Sequence, residues 1–146
     1  MNNASLGNVT VTVDSEKTKE IYSLIKNGSA VDCGCSYCRN FLAQAPNCFP
    51  QEVLNFFEQC GIDPIKDAEV YEMGPVSTDN KLSLYCGEYY FICESESDVV
   101  ADKLPNGFEF TITAPTSLES EEFRNIKNSK CFSFMYPIPW VLSEKP

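Results

Sequence analysis

No histidine occurs anywhere in the 146 residues. That excludes a Ser-His-Asp or Cys-His catalytic set, and with it any zinc site built on imidazole. Positive charge is also scarce: 11 Lys and Arg stand against 21 Asp and Glu, a net charge of −10. Non-specific nucleic-acid binding depends on cations that neutralise phosphates, so this balance argues against it, and it equally disfavours anionic membrane surfaces. A basic protein partner is compatible with such a charge. No run of about 18 apolar residues is present to span a bilayer. Met1 to Asn8 carry neither a basic n-region nor an apolar h-region, so no signal peptide is expected. The glycine-rich loops that cradle phosphates are missing, as are repeats, low-complexity tracts and linkers. These absences lead us to expect one domain over 1–146, located in the cytoplasm, where thiols stay reduced.

What the chain does have is eight cysteines, three of them within Cys33-Gly34-Cys35-Ser36-Tyr37-Cys38. An even count suggests disulfides in a secreted mini-protein. A chain of this size with 43% hydrophobic residues can bury a core without them, so the thiols read as free or metal-bound. Three sulfurs so spaced converge on one point only if the chain turns sharply, which Gly34 and a helix start provide. A closed zinc site needs a fourth ligand, and Cys48 is the nearest thiol in sequence, with Cys60 next. Cys33, Cys35, Cys38 and Cys48 are therefore the candidate metal ligands, and zinc is the one cofactor implied. The spacing fits neither ferredoxin pattern.

A redox role is the second possibility. Cys35-Ser36-Tyr37-Cys38 resembles the CxYC of glutaredoxins, and a helix N-terminus makes a thiol more acidic and more nucleophilic. The βαβ framework of those enzymes is absent, because a helix precedes the motif and two follow it. The third possibility is core packing, since cysteine behaves as a small hydrophobe. It suits Cys38 and Cys60 on the apolar faces of their helices, Cys86 and Cys93 on the apolar face of the hairpin, and Cys131; Cys33 and Cys35, with Asp32 and Gly34 beside them, fit it worst.

The hydrophobic pattern gives the scaffold. Val9, Val11 and Val13 alternate with threonines as a strand. Asp14 or Ser15 caps a helix over about 16–26, with Ile21, Leu24 and Ile25 inward and Gly28 as its stop. Cys38, Phe41, Leu42 and Ala45 share one helical face, ended by Pro46. Pro50 opens a further helix with Val53, Phe56, Phe57 and Cys60 inward and Gly61 behind it. From Ala68 the period becomes two. Gly87-Glu88 reads as a type II′ turn, making 81–94 a hairpin with Leu82, Leu84 and Cys86 opposite Cys93, Phe91 and Tyr89. A strand over about 108–113 follows the Pro105-Asn106-Gly107 turn. Glu119 to Glu122 forms a loop or short helix, and Cys131 to Met135 a last strand that continues extended through Tyr136–Leu142. The expected fold is α+β: N-terminal helices packed on an antiparallel β-sheet that contains the 81–94 hairpin.

Other groups are less specific. Glu94-Ser95-Glu96-Ser97-Asp98 lacks the glycine and terminal glutamate of a calcium loop and reads as a solvated turn. Tyr85, Tyr89, Tyr90 and Phe91 could stack bases on an exposed sheet, but without a basic groove they read as core and surface tyrosine. Arg39 pairs with Asp32 or Glu58, or offers its guanidinium to a ligand. Trp140 covers the end of the core as a lid or anchors an interface. No catalytic residue is identified.

Taken in order, Cys35-x-x-Cys38-Arg39-Asn40-Phe41, Phe49-Pro50, Leu54, Gly61-Ile62-Asp63, Glu69-Val70-Tyr71 and Ile138-Pro139-Trp140-Val141-Leu142 resemble a group of uncharacterised small bacterial proteins. These share a CxCxYCRNF-like motif and a C-terminal PWVL-like segment, over roughly residues 30–142 of this chain. The resemblance implies a bacterial or phage-borne cytoplasmic protein and marks Cys33, Cys35, Cys38, Arg39, Asn40 and Trp140, but brings no activity with it. Arg39, Asn40 and Trp140 are accordingly the candidate binding residues. The reading is a non-catalytic module that binds a protein partner, an inhibitory protein being one form of it. The alternatives are a structural zinc protein and, third, a CxxC redox enzyme.

Overall fold

A computed structural model describes residues 1–79, 81–95, 99–115 and 120–144. Strands β1 (Asn2–Leu6) and β2 (Val9–Val13) form a hairpin, and four helices follow: α1 (Ser15–Leu24), α2 (Ser29–Cys33), α3 (Ser36–Gln44) and α4 (Gln51–Cys60). The later elements are strands: β3 (Glu69–Pro75), β4 (Leu82–Glu94), β5 (Val99–Lys103), β6 (Glu109–Thr113) and β7 (Ser129–Pro139), with a 3₁₀ turn at Glu121–Phe123. The seven strands make one antiparallel sheet in the order β1-β2-β4-β7-β6-β5, with β3 beside β4 off that path. The α+β class is as the pattern predicts. No helix among the described residues is long and apolar enough to cross a membrane.

The 81–94 hairpin does not exist. β4 runs straight through Gly87-Glu88, pairing along its length with β7 from Leu82↔Pro139 to Ile92↔Ser129. Gly87 is not at positive φ, which a II′ turn would require. It serves close packing instead, because an added Cβ would lie 2.6 Å from the Phe134 ring and 2.8 Å from the Glu69 carbonyl. The glycine-first II′ turn lies at Gly7-Asn8, where Gly7 has φ 59° and joins β1 to β2. With β4 continuous, Cys86 and Cys93 point to opposite faces; Cys86 stands between Tyr71 and Met135, and Cys93 beside Val13.

Two strands share one edge of β4, β3 along its first half and β2 at Cys93 and Glu94. Between them α1 supplies the partners. The Tyr22 hydroxyl donates to the Tyr90 carbonyl at 2.8 Å, the Ile92 N–H donates to Thr18 Oγ1 at 3.1 Å, and the Asp14 N–H donates to the Ile92 carbonyl at 3.0 Å. A buried strand edge is thereby satisfied by a helix face. It also fixes the inner face of α1: Ile21 and Tyr22 are buried, whereas Leu24, expected inside, is 71% exposed.

α4 buries Val53, Phe56, Phe57 and Cys60 against the inner sheet face, as its period predicts. Phe57 and Phe56 meet Tyr89, Phe91 and Phe132. Phe49, in the connection to α4, touches the rings of Phe41, Phe57, Tyr89, Phe108 and Phe134. Tyr85, Tyr89, Tyr90 and Phe91 are all buried, so none is an exposed stacking platform. Of the acidic run at 94–98, residues 96–98 lie outside the described residues, as do residues 116–119.

Candidate metal centre

The thiol segment turns because two helices abut at Gly34. α2 ends at Cys33, and Gly34 takes the left-handed cap with φ 67°, a conformation that costs a glycine little. Cys35 then serves as the N-cap of α3, its sulfur accepting the Cys38 N–H at 3.4 Å as a serine oxygen would. The result brings the sulfurs of Cys33, Cys35 and Cys38 within 4.8 Å of one another. Tetrahedral Zn–S bonds of about 2.3 Å put sulfurs roughly 3.8 Å apart, so a small contraction would close the set on an ion. Cys33 and Cys35 face solvent while Cys38 is buried, giving a site with a closed floor and an open mouth.

The two kinds of position differ in acidity. The Cys38 N–H, followed by contacts with the neighbouring thiols, holds Cys35 below the usual thiol range despite some desolvation. Burial, reinforced by Cys33 and Cys35, pushes Cys38 well up. An exposed acidic thiol over a buried one suits metal ligation and also thiol–disulfide exchange.

Cys48 does not join the cluster, and neither does any other Cys, Asp or Glu among the described residues at that spacing. Cys48 is half-buried against the core, where desolvation raises it to about 11. Cys60 is buried on α4, raised by desolvation and by nearby Cys93. Cys93 and Cys131 are buried in the core, as the packing reading has them, whereas Cys86 is buried on the other sheet face between Tyr71 and Met135.

The residues flanking the thiols are occupied elsewhere. From Pro139 to Glu144 the chain lies over α3 as a strap, and Asn40 holds it. Its amide donates to the Pro139 carbonyl at 3.0 Å and the Tyr85 hydroxyl at 3.2 Å, while its oxygen accepts the Val141 N–H at 2.8 Å. Gln44 donates to the same Pro139 carbonyl at 2.7 Å. Asn40 is 0% exposed, and both of its amide hydrogens are engaged within the protein. Arg39 pairs with Glu144, not with Asp32 or Glu58, and its Nε donates to the Gly34 carbonyl at 3.1 Å. That ion pair lowers Glu144 and raises Arg39. Trp140 sits edge-on against Tyr37 at 5.8 Å, and its indole N–H donates to the Glu144 carbonyl at 2.8 Å. It is half-buried against α3 and is not among the residues packed on the core.

The two sequence blocks that looked separate, Cys35–Phe41 and Ile138–Leu142, are therefore one local structure. Tyr37, Gln44 and Glu144 belong to it but were not singled out from the sequence. Gln44 carries a faint signal, four residues after Asn40 on the same helix face; Glu144 carries none.

A further missed residue anchors the α2 side. Asp67, 3% exposed, accepts the Ser29 hydroxyl at 2.5 Å and the Ala30 N–H at 3.2 Å through Oδ2. Its Oδ1 is buried with no hydrogen-bond partner. Desolvation raises this carboxyl above its ordinary range despite the bonds from Ser29 and Ala30. The exposed apolar side chains do not gather at Trp140; Tyr71 and Met135 flank Cys86 on the outward sheet face, above a groove of about 490 Å³.

No family model matches the chain, and neither curated proteins nor solved structures yield a match.

Proposed function

We propose that this is a non-catalytic domain that binds a thiophilic metal ion, zinc among them, through Cys33, Cys35 and Cys38. The observation that carries the reading is the convergence of three sulfurs within 4.8 Å at a helix junction. Cys33 and Cys35 supply the exposed ligands and Cys38 the anchored one. Arg39, pinned by Glu144 beside Cys35, offsets part of the thiolate charge. A bound ion would stiffen the α2–α3 junction and, through Arg39 and Asn40, the strap.

A protein partner is a second reading, favoured by the outward groove beside Tyr71, Cys86 and Met135 rather than by Trp140. A CxxC redox activity would use the same sulfurs as the metal. A native mass spectrum of the reduced protein, purified without chelator, tests the main reading. One metal ion per chain, lost in Cys35→Ala, supports it. A bare mass that stays bare on adding zinc sinks it, and rapid turnover of a disulfide substrate by that bare protein would establish the redox alternative.

A further inference from the structure

We infer that the corner is a three-coordinate, all-sulfur site whose preferred ion is soft and monovalent, Cu(I), exchanged through the open mouth. The inference rests on the metal reading above and narrows it.

The argument is a count of donors. Among the described residues the cluster holds three thiols and nothing else that ligates at that spacing. Polar groups on the same segment are engaged elsewhere: Glu144 with Arg39, Asn40 with the strap, Gln44 with Pro139, and Asp32 accepts from the Asn27 amide at 3.3 Å. Cys48 and Cys60 are held in or against the core. Zinc in a structural site asks for four ligands and a closed shell, so here it would keep a water or a borrowed group. Thiolates alone, without imidazole or carboxylate, favour Cu(I), which three sulfurs satisfy in a plane. Exposure gives the exchange route: Cys33 and Cys35 face solvent, so an incoming thiol can displace one sulfur while Cys38 retains the ion.

The test is an anaerobic titration of the full chain with Cu(I) in competition with a chromophoric chelator, beside a parallel zinc titration, with the coordination number read by X-ray absorption. One Cu(I) bound by three sulfurs, with zinc at least about 100-fold more easily removed, is expected. Loss of an inner donor costs no less than loss of an outer one, so Cys33→Ser should weaken Cu(I) by more than about tenfold. Cys33 is exposed, so this variant keeps the fold. Zinc held by four protein ligands and not displaced by Cu(I) would overturn the inference and leave the metal reading intact. Failure to bind either ion would overturn both.

Discussion

Two buried polar side chains anchor the thiol corner from opposite sides, and they are finished to different degrees. On the strap side Asn40 bonds Tyr85, Pro139 and Val141, using both ends of its amide. On the α2 side Asp67 bonds Ser29 and Ala30 through one oxygen and leaves the other unpaired. A neutral amide with every group matched adds stability and fixes one geometry. A half-satisfied carboxyl holds its helix while bearing a desolvation cost that depends on its charge. The thiols thus hang between a rigid mount and a pH-sensitive one.

The largest effect expected from breaking this contrast is at the rigid mount. Asn40→Ala leaves the Val141 N–H without its acceptor and opens a buried hole, and should cost about 2–3 kcal/mol. Chemical denaturation measures it. Asn40→Asp should fare no better, since its oxygens would face the Pro139 carbonyl that the amide now donates to. A loss below about 0.5 kcal/mol for both would mean the strap is held by Gln44 and Trp140 alone.

Ser29→Ala comes next. It removes the stronger of the two bonds to Asp67 and deepens the isolation of that carboxyl, so about 1–2 kcal/mol is expected by the same measurement. If the cost at pH 7 equals or exceeds that of Asn40→Ala, the ranking of the two mounts is reversed.

How much of this was legible in the sequence follows from the range of the interactions. The period of α4, the alternation of β2 and the burial of Cys93 and Cys131 in the core are local consequences of hydrophobic patterning, and they appear where expected, whereas Cys86 is buried on the opposite sheet face. The thiol cluster was legible too, because Gly34 and a capping residue make the turn within six positions. Gly87 misled because a glycine needed for close approach to Phe134 and β3 looks, in sequence, like one needed for a turn. The structural partners of Arg39 and Asn40 were not legible because they lie 105 and up to 101 residues away. The short helix α2 was missed because its cap comes from Asp67, 38 residues on from Ser29.

The smallest effect is the most diagnostic of the pH-sensitive mount. Burial raises the Asp67 carboxyl above its unfolded value, so the fold prefers the protonated form. Its contribution to stability is full below about pH 3.9, the unfolded value, and is lost as pH rises through the higher folded one. Asparagine cannot ionise and escapes that loss. The melting temperature of Asp67→Asn, taken relative to the unaltered protein, should therefore shift in favour of the variant between pH 4 and pH 7. A difference that stays flat over this range would show that the carboxyl ionises as readily in the fold as outside it. A shift in the opposite direction would show that the ionised group is stabilised there, and the two mounts would then be equally complete. A parallel series on Asn40→Ala should stay flat, because nothing in the Asn40 network changes charge over those pH values.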